Sequence, residues 1–317
     1  MKPLVFILFG PTASGKTALL RLLDKNIEII SADSMQVYRG MDIGTAKPTP
    51  EERAKTPHHL IDIRNPDEQF NVGDFVRLAE EACLSAFARG ALPVVSGGTG
   101  FYIKNLVMGL SEAPPSDQSL RLELKKELAL RGASSLMEEL AKADPVSAGR
   151  IHINDEYRLL RALEVFRLTG RQLSSYASPW NLPSADSTEN SPFRFLLVGL
   201  RRSREELYRR INARTTAMFR AGLASEVRRL FEAGFTPENP GLRAIGYREF
   251  FVRDPGGAWR LSEDLAGLEA LVAQNSRRYA KRQMTFFASI PGVKWLDCEE
   301  LDVTAREISR ILEESLI

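Results

Sequence analysis

Gly10-Pro11-Thr12-Ala13-Ser14-Gly15-Lys16-Thr17 fits the G-x-x-x-x-G-K-[ST] pattern of a phosphate-binding loop. It stands where that pattern has meaning, between the apolar run Leu4 to Phe9 and a helix-like stretch from Lys16. Loop amides and a helix start give a concave field of positive partial charge, Lys16 can reach terminal phosphate oxygens, and the Thr17 hydroxyl can ligate Mg²⁺. A ligand-free glycine turn is the bland alternative. Phosphoryl-transfer enzymes with such a loop commonly hold the metal with a second carboxylate at the end of a buried strand. Here Leu92 to Val95 instead runs into Ser96-Gly97-Gly98-Thr99-Gly100. That departure weakens an ordinary NTPase reading but leaves room for a small-molecule kinase whose acid comes from elsewhere.

Such an acid follows the next strand-like run, Ile27 to Ile30, in Ser31-Ala32-Asp33-Ser34-Met35-Gln36-Val37-Tyr38. Ligands of open α/β sheets bind at the carboxyl ends of strands, so Asp33 is placed to face whatever the loop holds. A carboxylate there can take a proton from an incoming nucleophile, and Gln36 offers a donor and an acceptor to a base edge. Read from the octapeptide alone, Asp33 equally caps a turn. His58 and His59 are adjacent in a loop-like stretch without the spaced ligand set of a metal site, which favours a structural or nucleic-acid-facing role. Cys83 and Cys298 are far apart and unaccompanied by a Cys/His cluster, so both read as packing residues.

Two basic runs stand out: Arg201, Arg202, Arg204, Arg209, Arg210 and Arg214, then Arg277, Arg278, Lys281 and Arg282 at helical spacing. Each suits RNA phosphates or a solvated salt-bridge lattice, the first with Glu205 and Glu206. Tyr279, Phe286 and Phe287, interleaved with the second, are expected in the core.

The elements that must position these residues begin as strands alternating with helices, the signature of a parallel α/β sheet. Val72 to Ala88 has helical apolar spacing, and Phe193 to Leu200 and Val293 to Leu296 supply further strands. After Ala113-Pro114-Pro115 the rhythm changes. Ser116 to Arg131, Ser134 to Ala143 and Asp155 to Thr169 read as helices, the last capped by Asn154 or Asp155 and stopped by Gly170, so this stretch is a helical insertion. Ser178 to Pro192 reads as an exposed connection, and Arg204 to Phe231 and Ser262 to Ser289 as long helical regions. The chain of 317 residues has 44% hydrophobic and 26% charged residues, which argues against a disordered or fibrous chain. A net charge of +2 is too mild to demand a nucleic-acid partner. Leu4 to Phe9 is too short to span a bilayer and lacks a secretory cleavage pattern, so the cytoplasm is expected, with no membrane partner.

The segments Gly10 to Thr17, Asp33-Ser34-x-Gln36-x-Tyr38, Asp42-Ile43-Gly44-Thr45-Ala46-Lys47-Pro48, His58-His59-Leu60-Ile61-Asp62, Gly97-Gly98-Thr99, Arg161-Ala162-Leu163-Glu164-Val165 and Gly246-Tyr247-Arg248 follow one another in an order that resembles the tRNA dimethylallyltransferase family. The resemblance runs from the start of the chain to beyond residue 280. It implies a P-loop NTPase-like parallel-sheet core (1–115 and 193–317) with an α-helical insertion and linker (116–192), a dimethylallyl diphosphate donor, Mg²⁺ as cofactor and the tRNA anticodon stem-loop as partner, in a monomer. Asp33 matches the family's general base, with Thr99 beside it. Gly10, Pro11, Thr12, Ala13, Ser14, Gly15, Lys16 and Thr17, with Arg214, match the diphosphate site, and Thr17 the metal ligand. Asp33, Ser34, Met35, Gln36, Thr99, Arg121, Tyr157, Arg158, Leu159, Leu160, Arg161, Arg243, Ala244, Ile245, Gly246, Tyr247 and Arg248 match positions that meet tRNA. The chain departs from the family pattern at Glu156-Tyr157, where Pro-Gln is usual before the arginine. The implied reaction carries the prenyl group to the exocyclic amine of the adenosine 3′ to the anticodon, in tRNAs reading codons that begin with U. Rival readings are a small-molecule kinase, prenylation of free adenine nucleotide, and an RNA-binding module with a vestigial loop.

Overall fold

A computed structural model describes residues 2–23, 25–176 and 191–316. The chain forms two compact units, one built from 1–107 with 190–317 and the other from 108–189.

The first unit is organised on a six-stranded sheet: β1 (Leu4–Phe9), β2 (Ile27–Ser31), β3 (His58–His59), β4 (Leu92–Gly97), β5 (Arg194–Arg201) and β8 (Lys294–Asp297), in the order β3-β2-β4-β1-β5-β8. All its pairings are parallel, as the strand–helix alternation predicts. β1 is buried along its whole length. That is why it reads as an unbroken apolar run: in a parallel sheet covered on both faces, neither side of the pleat can be polar. On one face Leu4, Phe6 and Leu8 pack with Leu19 and Leu20 of α1 (Lys16–Leu20) and with Ile308, Ile311 and Leu312 of α11 (Leu301–Leu316). The sequence reading did not include that last helix, which completes this face. Phe9 packs against Phe287 of α10 (Leu265–Phe287), the ring centroids 4.9 Å apart and the planes tilted by 50°.

The remaining elements of this unit are α2 (Pro50–Lys55), α3 (Val72–Ala88), α4 (Gly100–Met108, reaching into the second unit by one residue), α8 (Arg204–Arg220), α9 (Leu223–Glu232) and the antiparallel hairpin β6 (Phe251–Arg253) with β7 (Trp259–Leu261). A separate cluster of Val37, Met41, Leu223, Val227, Leu242, Tyr247 and Phe250 fixes the loop after β2. At its centre the Glu226 carboxylate accepts hydrogen bonds from the amides of Asp42, Ile43 and Gly44 and from the Tyr247 hydroxyl. Gly44 is required there, since a Cβ would lie 2.4 Å from the Tyr247 ring.

Among the described residues the second unit holds α5 (Gln118–Ala143), α6 (Pro145–Arg150), α7 (Glu156–Thr169) and a short helical turn, Leu173–Ser175. α5 bends at Gly132, whose φ of 76° is left-handed, and so falls into the two helices read from the sequence. Asp155 caps α7 by accepting from the Arg158 amide, and Gly170 ends it at φ 69°. Leu124, Leu136, Leu140, Leu159, Leu160 and Leu163 form the core. The expected connection Ser178 to Pro192 lies outside the described residues except for 191 and 192.

Candidate active site

The loop leaving β1 takes left-handed backbone at Ala13 (φ 64°) and Gly15 (φ 108°), which turns the chain sharply before α1. α1 has five residues, so its dipole is small and the positive field must come mainly from side chains. Lys16 Nζ donates to the carbonyls of Gly10 at 2.9 Å and Pro11 at 3.0 Å. α8 and the residue two before it reach across to the same loop. Arg202 donates to Ser14 O and Arg210 to Ala13 O, both at 2.9 Å, and Arg214 to the Thr12 hydroxyl at 3.0 Å. The first basic run therefore divides by face. Arg202, Arg210 and Arg214 clamp the loop, Arg202 and Arg210 lying also 3.7 Å from Glu299 and 3.8 Å from Glu206, whereas Arg201 pairs with Asp297 and Arg209 with Glu206, the latter as in the salt-bridge lattice of the alternative reading.

Burial, reinforced by the charge of Arg214, lowers the Lys16 ammonium to about pKa 8 against the opposing pull of Asp33. Arg214 is likewise lowered by burial and sustained by Asp33. Cations crowded into a poorly solvated site favour an anionic ligand. Ser14 Oγ is the buried side-chain polar atom without a hydrogen-bond partner among the described residues. An oxygen stranded at the floor of this loop matches a ligand rich in oxygen and hydrogen-bonding capacity. Thr17 lies exposed at the loop's end.

Asp33 follows β2 and accepts from the amides of Met35 at 2.9 Å and Gln36 at 3.4 Å, both on Oδ1. It is thus a turn cap, and its charge also acts on Lys16 and Arg214. Thr99 Oγ1 accepts from the Ser34 amide at 3.0 Å, and the Thr99 amide donates to Ala32 O at 3.0 Å, so the loops after β2 and β4 are laced together. Gly97 permits this, because a Cβ there would lie 2.1 Å from Ala32 O. Gln36 spends its amide on Ser31 Oγ and on the carbonyls of Thr45 and Ala46, so reading a base would require exchanging those bonds.

Two site residues were missed in the sequence because they lie about 180 residues beyond Thr99 on α10 (roughly fifty turns of helix if extended in one). Gln283 is buried, accepting from the Thr12 amide and donating to Gly98 O. Tyr279, expected in the core, has its hydroxyl interacting with Thr99 and Gln283, and burial together with the Asp33 charge raises it to about pKa 12. Helical periodicity identifies α10 as packed but does not say that its inner face meets polar loops.

The residues matched to tRNA contacts are distributed unevenly. Arg158, Tyr157, Arg243 and Arg248 are exposed to solvent, the Tyr157 ring lying under Arg121 at 4.6 Å. Arg121 and Arg161 instead bind the fully buried Glu164. Leu159 and Leu160 belong to the helical core, and Tyr247 and Ala244 to the cluster around Glu226. The side chains of these four lie in cores, where apolar or buried faces make the helix and the loop fold. Ile245 is partly buried and Gly246 buried, its amide held by Glu249. His59 bonds Glu28 at 2.6 Å and His58 the Thr56 carbonyl at 2.7 Å, in a short edge strand rather than a loop.

A profile of the IPP transferase family matches residues 36–289. The chain belongs to that family. It is 43% identical over 298 residues to the tRNA dimethylallyltransferase of Geobacter sulfurreducens, covering 93% of this chain and 92% of the relative. It is 45% identical to tRNA dimethylallyltransferase 1 of Syntrophotalea carbinolica, over 93% and 91% of the two chains. The crystal structure of tRNA delta(2)-isopentenylpyrophosphate transferase from Staphylococcus epidermidis is similar with a TM-score of 0.68 and 38% identity, over 99% of this chain and 100% of that one. A eukaryotic dimethylallyltransferase acting on tRNA gives a TM-score of 0.76 at 28% identity, over 95% and 75%. The core shares the P-loop NTPase-like fold of this family. The profile begins after the loop and Asp33, whose placement therefore rests on the geometry above.

Proposed function

We propose that this protein transfers a dimethylallyl group from dimethylallyl diphosphate to the exocyclic N6 of the adenosine 3′ to the anticodon in tRNAs reading codons that begin with U, releasing diphosphate. The observation that carries the reading is the loop of residues 10–17 held by Lys16, Arg210 and Arg214, with Asp33 at the carboxyl end of β2 in the same parallel sheet: a diphosphate grip and an acid at one sheet edge. The names of the relatives and of the solved structures support the same chemistry. A kinase is not favoured, since the relatives and solved structures similar to this chain are named for prenyl transfer to tRNA, and β4 ends in Ser96 and Gly97 without the carboxylate usual at that strand end.

Lys16 and Arg214 hold the diphosphate and offset the charge that develops as its bond to the prenyl carbon breaks. The adenine amine is a weak nucleophile because its lone pair is delocalised into the ring. As its nitrogen forms the new bond to carbon, its proton passes to Asp33, whose Oδ2 is not the oxygen that caps the turn. The loop adenosine leaves its stack to present that amine, and Thr99 holds the amine edge. Oxygen donors at Thr17 and Ser14 suit Mg²⁺, which takes much of its shell from substrate phosphates and water, and it would supply further neutralisation of the leaving group. The protein is expected to act as a cytoplasmic monomer; no helix among the described residues is long and apolar enough to cross a membrane.

The test is mass spectrometry of unmodified tRNA incubated with the protein, Mg²⁺ and dimethylallyl diphosphate. A gain of a single five-carbon unit confined to the adenosine 3′ to the anticodon is expected. Phosphorylated product in the presence of ATP, modification of free AMP in preference to the stem-loop, or RNA binding without any product would each overturn the reading.

A further inference from the structure

The diphosphate loop and the acceptor loop leave the neighbouring paired strands β1 and β4, and beyond the last pair, Phe9 with Gly97, a side chain from a third element bridges them. Gln283 of α10 is 5% exposed, with Oε1 accepting from the Thr12 amide at 2.9 Å and Nε2 donating to Gly98 O at 2.8 Å. Gly98 precedes Thr99, whose hydroxyl accepts from the amide next to Asp33. A continuous path thus runs from the loop that grips the leaving group, through one carboxamide, to the residues that receive the nucleophile. The join is tight, since a Cβ on Gly98 would lie 2.4 Å from Gln283 Nε2. Two neighbouring residues pack α10 closely here: Phe287 lies on Phe9 at the end of β1, and a Cβ on Gly100 would come 2.6 Å from the Phe286 ring and 3.0 Å from that of Phe287.

A carboxamide suits this junction chemically. It supplies an acceptor and a donor a fixed distance apart and adds no charge beside Lys16 and Arg214. A carboxylate would meet the Gly98 carbonyl oxygen with another acceptor. Transfer between two bound partners depends steeply on the separation of the reacting atoms, and a misplacement of about 1 Å can cost roughly 10²-fold in rate. We infer that Gln283 is a positioning residue that sets the distance between the diphosphate loop and Thr99, and hence between the breaking bond and the adenine amine. This rests on the functional reading above.

The test compares wild type with Gln283→Met, which removes both hydrogen bonds at similar volume, and Gln283→Glu, which keeps the acceptor for Thr12 and loses the donor to Gly98. Dissociation constants for dimethylallyl diphosphate and for an anticodon stem-loop are measured separately, followed by single-turnover transfer at saturation of both, with folding checked by circular dichroism at the assay temperature. Both folded variants should bind the stem-loop nearly as wild type does while the saturated rate falls roughly 10²-fold; donor affinity should hold in Gln283→Met and weaken in Gln283→Glu, which brings a negative charge to the diphosphate loop. If one variant does not fold, the other carries the test. A wild-type rate in a folded variant overturns the inference, as does a loss fully recovered by raising either substrate, which would make Gln283 a binding residue. A wild-type protein that yields no prenylated RNA would overturn the functional reading itself, a result distinct from any behaviour of the variants.

Discussion

Asp33 is both the cap of its own turn and the acid beside the diphosphate grip, and the two roles fall on different oxygens. Asp33→Asn keeps an oxygen for the Met35 amide, so the turn should survive while the proton acceptor is lost. Transfer at saturating donor and RNA should slow by roughly 10² to 10⁴, with both affinities retained. Single-turnover rates check this, and a wild-type rate would return Asp33 to the status of a cap. Lys16 supplies a pH test whose sign follows from its surroundings. Burial and Arg214 hold it at about pKa 8 without ligand, and a bound diphosphate must raise it. Below pH 8 the ammonium is charged in both states and donor affinity is flat. Above it, binding must take up a proton, so affinity should fall roughly tenfold per pH unit until the pKa of the bound state is reached. Calorimetry in buffers of different ionisation enthalpy measures that uptake directly.

At the scale of elements, the same helix can carry both core and contact residues, and α7 separates them. Leu159 is fully buried and Arg158 is largely exposed. Leu159→Ala should therefore cost about 2–5 kcal/mol of stability by leaving a cavity. Urea denaturation should register that loss, whereas RNA affinity under native conditions should hold; a weakened RNA affinity at unchanged stability would mean that Leu159 meets the RNA itself. α8 shows a related division: Arg210 and Arg214, one turn apart, share the face toward the loop, while Arg209 turns outward to Glu206. Helical spacing alone places 210 and 214 together but does not say that a phosphate-binding loop lies opposite.

For the whole molecule, the mild net charge of +2 conceals a surface on which many arginines are already paired. Binding to RNA then depends on which of them can turn to phosphates. Arg248 is about half exposed, its side chain 48% accessible, and leans on Glu249, itself anchored by Asn275 and the Gly246 amide. Arg248→Ala should weaken stem-loop binding, reduce the slope of log affinity against log salt by about 1, and leave donor affinity unchanged. A salt titration of RNA binding checks it; impaired donor binding with an unaltered slope would reassign the residue to the diphosphate site.

The sequence by itself determined the parallel sheet, because strands buried on both faces leave continuous apolar runs at Leu4 to Phe9 and Leu92 to Val95. It determined the loop at residues 10–17 and the acid after β2, because both are local patterns tied to a strand end. It determined the helical insertion through the cap and stop of α7. Only the tertiary structure decided that Gln283 and Tyr279 belong to the site, since the polar partners of a helix face are set by what packs against it and leave no periodic trace. It also decided that the side chains of Leu159, Leu160, Ala244 and Tyr247 lie in cores, for a motif records which residues occur together but not whether each serves the ligand or the fold that presents it.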